Sequence, residues 1–130
     1  MIEAARADLR EEDLESIMTA FYDTLGADPL VGPYFAPVDM RAHIPRIVDF
    51  WSTMVFDTAA YAGNAFRPHQ NLPGLTAEHF GRWLNILEST VDARVAGPSA
   101  DRMKALAHRI AYSMQVRLKI VPVLPWRAER

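Results

Sequence analysis

The sequence predicts an all-α protein, and three observations lead to that class. Four segments place apolar residues three and four positions apart, the spacing that puts them on one face of a helix. No segment shows the sustained alternation of apolar and polar residues that is typical of a half-buried strand. The Asn-Gly and Asp-Gly dipeptides that favour tight hairpin turns do not occur either.

Composition predicts one globular domain over residues 1–130. Half of the residues (50%) are hydrophobic and 23% are charged, as in ordinary globular proteins. A net charge of -2 disfavours nucleic acid as the main partner, because phosphate binding needs a basic excess. The absence of cysteine excludes disulfides, iron–sulfur clusters and a cysteine nucleophile. Without an apolar leader or a run of about 20 apolar residues, we expect a cytoplasmic protein with no membrane span.

The first helix is predicted from an apolar stripe that begins after Asp13 and ends before Gly26. Asp13 is a plausible N-cap and Gly26 a plausible stop. Pro29 suits the first position of a new helical turn, and the apolar segment 30–35 predicts one or two such turns at a corner. The stripe consists of Leu14, Ile17, Met18, Phe21 and Leu25.

A second long helix is predicted over residues 41–56. His43, Ile47 and Phe50 share one of its apolar stripes. Pro45 is tolerated only in the first helical turn, so the helix either starts near His43 or is kinked at Pro45. In both cases His43 lies at a loose helix start.

Residues 57–75 are rich in glycine and proline and predict a loop around His69. A loop of this length inside a compact domain is more often functional than idle. Thr76 is a predicted cap for a long helix that Gly97 and Pro98 end, and Ser99 is a predicted cap for the last helix. The inner faces of these two helices carry Phe80, Trp83, Leu84, Leu87, Val91 and Val95, then Met103, Leu106, Ile110 and Met114.

Four side chains are candidates for chemistry, and each also has a structural interpretation. His69 is either a solvent-exposed loop histidine or an axial iron ligand. Tyr22 and Trp83 are either amphipathic core residues or hydrogen-bond donors into a cavity. His43 needs a partner or a ligand on an apolar stripe, unless it reaches solvent at the helix start. His79 and His108 are interpreted as structural, with His108 and Gln115 on a polar face.

The order of these motifs resembles the truncated haemoglobins, specifically their third subgroup. The resemblance covers about residues 12–118 and leaves the proline-containing tail 119–130 outside. It implies a two-over-two helical sandwich around haem b. The paired-glycine motifs of other truncated haemoglobins are missing, as expected for this subgroup. The motifs in order are Phe21-Tyr22, Gly32-Pro33-Tyr34-Phe35, His43, Phe50-Trp51, Pro68-His69, Leu72-Pro73, Phe80 and Trp83-Leu84.

The resemblance also implies roles for individual residues. His69 corresponds to the proximal iron ligand, and Tyr22 and Trp83 to hydrogen-bond donors on the opposite, distal side. His43 corresponds to the gate residue of the distal helix, and Arg46 to a partner of a haem propionate. The remaining pocket residues that it implies are Phe35, Ile47, Phe50, Leu72 and Phe80.

A polar distal pocket favours oxygen or nitric oxide chemistry over oxygen transport, because donors that hold dioxygen slow its release. We therefore expect dioxygen, nitric oxide or similar diatomic ligands, with nitric oxide dioxygenase or peroxidase-like activity and a reductase partner. Two other function classes remain open. One is a sensor or storage globin without turnover, and the other is a cofactor-free helical interaction module.

Overall fold

The computed structural model describes residues 7–63 and 72–120. These residues form four α-helices, with no strand between them, so the all-α prediction is confirmed for the described chain. Two short 3₁₀-helices, Glu11–Asp13 and Gly32–Phe35, precede the first and second α-helices. The α-helices are α1 (Leu14–Ala27), α2 (Met40–Phe56), α3 (Ala77–Asp92) and α4 (Pro98–Arg117).

The four helices pack as two layers of two. Helix α1 contacts α2, and α3 contacts α4; between these pairs, α1 packs on α3 and α2 packs on α4. The largest fully buried apolar side chains come from α1, α3 and α4: Leu14, Ile17, Met18, Phe21, Leu25, Leu87, Val91 and Met103. Among the described helices, none combines the length and the apolar character needed to cross a membrane.

Helix α1 starts where the sequence predicts but ends later. Asp13 occupies the predicted N-cap position, although its carboxylate makes no bond into α1 and instead accepts the N–H of Arg10 at 2.8 Å, which closes the preceding 3₁₀-helix. The helix continues past Gly26 to Ala27. The corner that follows is the 3₁₀-helix Gly32–Phe35, which confirms the predicted turn. Gly32 approaches the end of α1 so closely that a Cβ atom there would lie 2.6 Å from the carbonyl oxygen of Gly26.

Pro45 lies inside α2, beyond its first turn. The helix begins at Met40, after Asp39, whose carboxylate accepts the N–H of Arg41 at 3.1 Å. The helix thus starts earlier than predicted, and His43 lies in its first turn with its N–H donated to the carbonyl of Asp39 at 2.9 Å. A proline at this position has no N–H to donate to the carbonyl four residues earlier.

The start of α4 is capped from the other end of the chain. Ser99 is a helical residue, so its predicted role as N-cap is wrong. The carboxylate of Asp8 takes that role, accepting the N–H groups of Ser99 at 2.9 Å and Ala100 at 3.0 Å. Gly97 permits this contact, because a Cβ atom there would lie 2.5 Å from Cγ of Asp8.

Two further sequence expectations on α3 and α4 are wrong. Helix α3 ends at Asp92, before the predicted stop at Gly97. Gln115 does not share a polar face with His108, because its side chain is only 5% exposed. Its Nε2 donates to the carbonyl of Ala111 at 3.1 Å, one turn back along the helix.

Candidate functional site

Tyr22 lies at the centre of the candidate site. Helix α1 buries this side chain among three rings, which it meets edge to face. The centroid distances from the Tyr22 ring are 5.3 Å to His43, 5.5 Å to Phe35 and 5.1 Å to Phe21. Burial raises the pKa of the Tyr22 phenol, so at neutral pH this group keeps its proton and can donate a hydrogen bond.

Trp83 joins the same cluster through Phe21. The rings of Phe21 and Trp83 are 5.9 Å apart and nearly perpendicular. Phe21 is fully buried, whereas Trp83 is partly buried and packs against the core from α3. Phe80, one turn earlier on α3, is 7% exposed. The structure thus brings both predicted donors, Tyr22 and Trp83, into contact with one buried phenylalanine, Phe21.

The stripe of α2 that carries His43 is only partly covered by protein. Ile47 and Phe50 pack against the core while part of each side chain stays accessible. The Phe50 ring contacts Trp51 and Tyr61, both at 5.4 Å. Helix α2 therefore turns an incompletely buried apolar face toward the side of the molecule where Tyr22 lies.

The corner 3₁₀-helix is attached to the segment that leads into α3. The hydroxyl of Tyr34 donates a hydrogen bond to the carbonyl of Pro73. Leu72, which the resemblance places in the pocket, precedes this contact and is half-buried. This bond was not predicted, since nothing in the sequence pairs residues that are 39 positions apart.

The two histidines predicted to be structural both bind neighbouring side chains. Nδ1 of His79 accepts the N–H of Thr76 at 3.1 Å, which closes the capping box of α3 and confirms Thr76 as its N-cap. Nε2 of His108 lies 2.8 Å from a carboxylate oxygen of Glu88 on the surface between α3 and α4.

Two predicted site residues remain, His69 and Arg46. His69 lies outside the described residues, so its role as iron ligand stays a prediction. Arg46 is exposed on α2, one residue after Pro45. Within residues 7–63 and 72–120, no group of three or more histidine, cysteine, aspartate or glutamate side chains could hold a metal ion.

Comparison with known proteins identifies the fold. The crystal structure of group III truncated haemoglobin from Campylobacter jejuni matches 88% of this chain and 95% of its own, with a TM-score of 0.79 and 24% identity. This chain has the truncated-globin fold. In sequence it is 26% identical over 90 residues to the group 3 truncated haemoglobin of Campylobacter jejuni, a match that spans 65% of this chain and 71% of that protein. No protein-family model matches the sequence.

Both comparisons bear out the resemblance that the motifs indicated, down to the third subgroup of truncated haemoglobins. The contact between Tyr22 and His43 joins α1 to α2. The contact between Phe21 and Trp83 joins α1 to α3. The cluster therefore lies where three of the four helices meet.

Proposed function

We propose that this protein binds haem b and uses it to hold dioxygen, nitric oxide or a similar diatomic ligand beside Tyr22. The observation that carries the proposal is the contact of Tyr22 with His43 and Phe35, together with the contact of Trp83 with Phe21, the neighbour of Tyr22 in the chain. His69 would ligate the iron through a neutral imidazole nitrogen, as the resemblance to truncated haemoglobins implies.

The described residues fit such a group. A planar apolar macrocycle needs an apolar wall that the protein itself leaves partly open, and α2 offers Ile47 and Phe50 on a half-covered stripe. Phe80 and Leu72 would supply the rest of that wall. A propionate needs a cation near solvent, which exposed Arg46 could provide. The donors near the proposed ligand position are a phenol, an imidazole and an indole, a set that suits a neutral or partly negative ligand.

The bound iron would supply reversible binding of a diatomic ligand, with electron transfer to it. The protein would supply hydrogen bonds where negative charge develops on that ligand. The Tyr22 hydroxyl is held in place by three neighbouring rings, which lowers the entropy cost of the bond that it makes. The indole N–H of Trp83 would add a second donor. Two donors slow ligand release. The protein would therefore retain bound oxygen and be poorly suited to oxygen transport.

His43 would control access to this pocket. Its ring contacts Tyr22, yet its backbone lies in the first turn of α2, two residues before Pro45. An imidazole near a helix start can change rotamer without disturbing the rest of the helix. In the ligand-free protein it could also ligate the iron. A six-coordinate ferrous spectrum that persists in His43→Ala would exclude this internal ligation.

The retained dioxygen could react with nitric oxide. Dioxygen, nitric oxide and one electron combine to give nitrate, and a reductase partner would return that electron to the protein after each turnover. Peroxidase-like chemistry is the other reaction that a polar pocket favours. Single-turnover mixing of the oxygenated protein with nitric oxide tests the first reaction, which predicts stoichiometric nitrate.

The absorption spectrum of the purified protein with added haem tests the proposal. We expect a sharp Soret band in the wild type that is lost or strongly altered in His69→Ala. His108→Ala is the matched control, because His108 lies on the surface beside Glu88 and should leave the band unchanged. If the wild type takes up no haem, the haem proposal is wrong and a cofactor-free helical module replaces it.

A sensor or storage globin is the second candidate, favoured by the same buried donors. Such a protein would bind the ligand tightly, yet the oxygenated form would yield no nitrate when mixed with nitric oxide. It would also need no reductase for repeated binding.

A further inference from the structure

The carboxylate of Asp28 joins three elements that carry the candidate site. One oxygen accepts the backbone N–H groups of Leu30 at 2.9 Å and Val31 at 3.0 Å, which fixes the corner after α1. The other oxygen accepts Nη1 of Arg82, on α3, at 2.6 Å. The Asp28 side chain is only 10% exposed, and that of Arg82 is 40% exposed.

Each of these three elements carries one residue of the aromatic cluster. Helix α1 carries Tyr22, and the corner carries Phe35, whose ring contacts Tyr22. Helix α3 carries Trp83, which directly follows Arg82 in the chain. A shift of α3 relative to α1 would therefore change the distance between the two donors, and the Asp28–Arg82 pair opposes that shift.

The corner allows little movement at this point. The N–H of Gly32 donates to the carbonyl of Asp28 at 2.8 Å, and Gly32 itself lies against the last turn of α1. The N–H groups of Leu30 and Val31 hold the Asp28 carboxylate in one orientation. Arg82 is thus attached to a rigid acceptor, which makes the pair a defined spacer between α1 and α3.

We propose that Asp28 and Arg82 are positioning residues that set the separation of Tyr22 and Trp83 and thereby the strength of the hydrogen bonds that the two donors make to a bound ligand. This inference rests on the proposed haem function for its effect on ligands. The spacing itself is a property of the protein chain and can be tested without haem.

Fluorine NMR of protein labelled with 5-fluorotryptophan tests the spacing without haem. We expect Arg82→Met to shift and broaden the Trp83 resonance while the resonance of Trp51, buried elsewhere in the core, stays unchanged. Arg82→Lys should restore the Trp83 resonance in part, because lysine keeps the charge but offers a less directional donor.

The matched control is Lys104→Met, which breaks an ion pair between Lys104 on α4 and Asp92 on α3. Nζ of Lys104 lies 2.6 Å from Asp92, the same distance as in the Asp28–Arg82 pair, but at the far end of α3. This variant should leave the Trp83 resonance in place. If Arg82→Met leaves it in place too, or if both variants move it equally, Arg82 has no special positioning role.

The C–O stretching frequency of the haem-loaded protein with carbon monoxide tests the effect on ligands, because that frequency responds to nearby donors. We expect a shift in Arg82→Met and in Asp28→Asn but not in Lys104→Met. Oxygen dissociation from Arg82→Met should be about fivefold faster, as for a misaligned hydrogen bond. A shifted Trp83 resonance with an unchanged C–O frequency would overturn the proposed effect of Arg82 on the ligand. Failure of the wild type to bind haem would instead overturn the proposed function, and the fluorine result would remain valid.

Discussion

At the scale of single residues, Tyr22 is the side chain on which ligand retention should depend most. A hydrogen bond to a charged or partly charged acceptor contributes about 1.5–3 kcal/mol, and about 1.4 kcal/mol is a tenfold change in affinity. We therefore expect Tyr22→Phe to raise the oxygen dissociation rate by about 10-fold to 100-fold. The phenylalanine ring keeps the edge contacts with Phe35 and His43, so stability should change little.

Stopped-flow displacement of oxygen by carbon monoxide measures this rate. Tyr112→Phe is the matched control, because Tyr112 is 44% exposed on α4, a helix that carries none of the rings of the aromatic cluster. An unchanged rate in Tyr22→Phe would remove Tyr22 from the mechanism, even if haem binding were confirmed.

The sequence predicted the members of this cluster but not what holds them in place. Tyr22, His43 and Trp83 could be singled out because a polar aromatic side chain on an apolar stripe is conspicuous in helical periodicity. The Asp28–Arg82 pair joins residues 54 positions apart, and both side chains look like ordinary surface charges in the sequence. Such long-range polar contacts depend on the packing of complete helices, which local patterns do not encode.

At the scale of elements, α2 carries His43, the proposed gate residue, in its first turn and a proline in its interior. Pro45 is the sixth residue of the helix, so the carbonyl of Arg41 has no N–H partner from it. We expect Pro45→Ala to stabilise the protein by about 1–3 kcal/mol, since proline in a helix interior costs about 3 kcal/mol relative to alanine. The tighter first turn should also slow His43 motion and ligand access.

Thermal unfolding and carbon monoxide association measured on one set of samples test both effects. Ala42→Gly, in the same turn, should have the opposite effect, because glycine destabilises a helix. We expect this variant to bind carbon monoxide faster than the wild type. Association that is faster in Pro45→Ala would contradict the proposed link between this turn and the gate.

The start of α4 depends on Asp8 and should make stability sensitive to acid. The N–H of Ser99, together with those of Ala100 and Leu9, holds the pKa of Asp8 below its usual range. A lowered pKa in the folded state means that this contribution is present at neutral pH and is lost as the pH falls below about 4. Asp8→Asn should lower the melting temperature at neutral pH and converge with the wild type in acid.

Melting temperatures between neutral and acidic pH check this prediction. Asp101→Asn is the matched control, because Asp101 is also in the first turn of α4 but is mostly exposed. A constant difference between Asp8→Asn and wild type at every pH would mean that the Asp8 charge does not contribute. The sequence could not reveal this cap, since Ser99 has the expected residue type at the expected place and Asp8 lies 91 positions away.

At the scale of the whole molecule, the order of the helices followed from the periodicity of four apolar stripes, whereas the two-layer packing was implied only by the resemblance that the motif order carries. The helix ends did not follow in full, because Asp8, from the other end of the chain, caps the start of α4, and α3 ends at Asp92 before the glycine that was expected to stop it. The described helices also contribute unequally to the core. The fully buried large apolar side chains lie on α1, α3 and α4, while α2 buries only Trp51, Ser52 and Val55.

If the protein binds haem as proposed, this unequal burial predicts how it responds to removal of that haem. A ligand that binds only the folded state stabilises it, and the helix that covers that ligand loses most when it leaves. We expect the haem-free protein to melt at a lower temperature and its α2 amides, such as those of Ile47 and Phe50, to exchange hydrogen faster. Amides of α1 and α4 should stay protected, because Phe21, Leu25 and Met103 remain buried without haem. Hydrogen exchange with and without haem measures this directly, and equal protection of all four helices in both states would mean that the open stripe of α2 is not the haem wall.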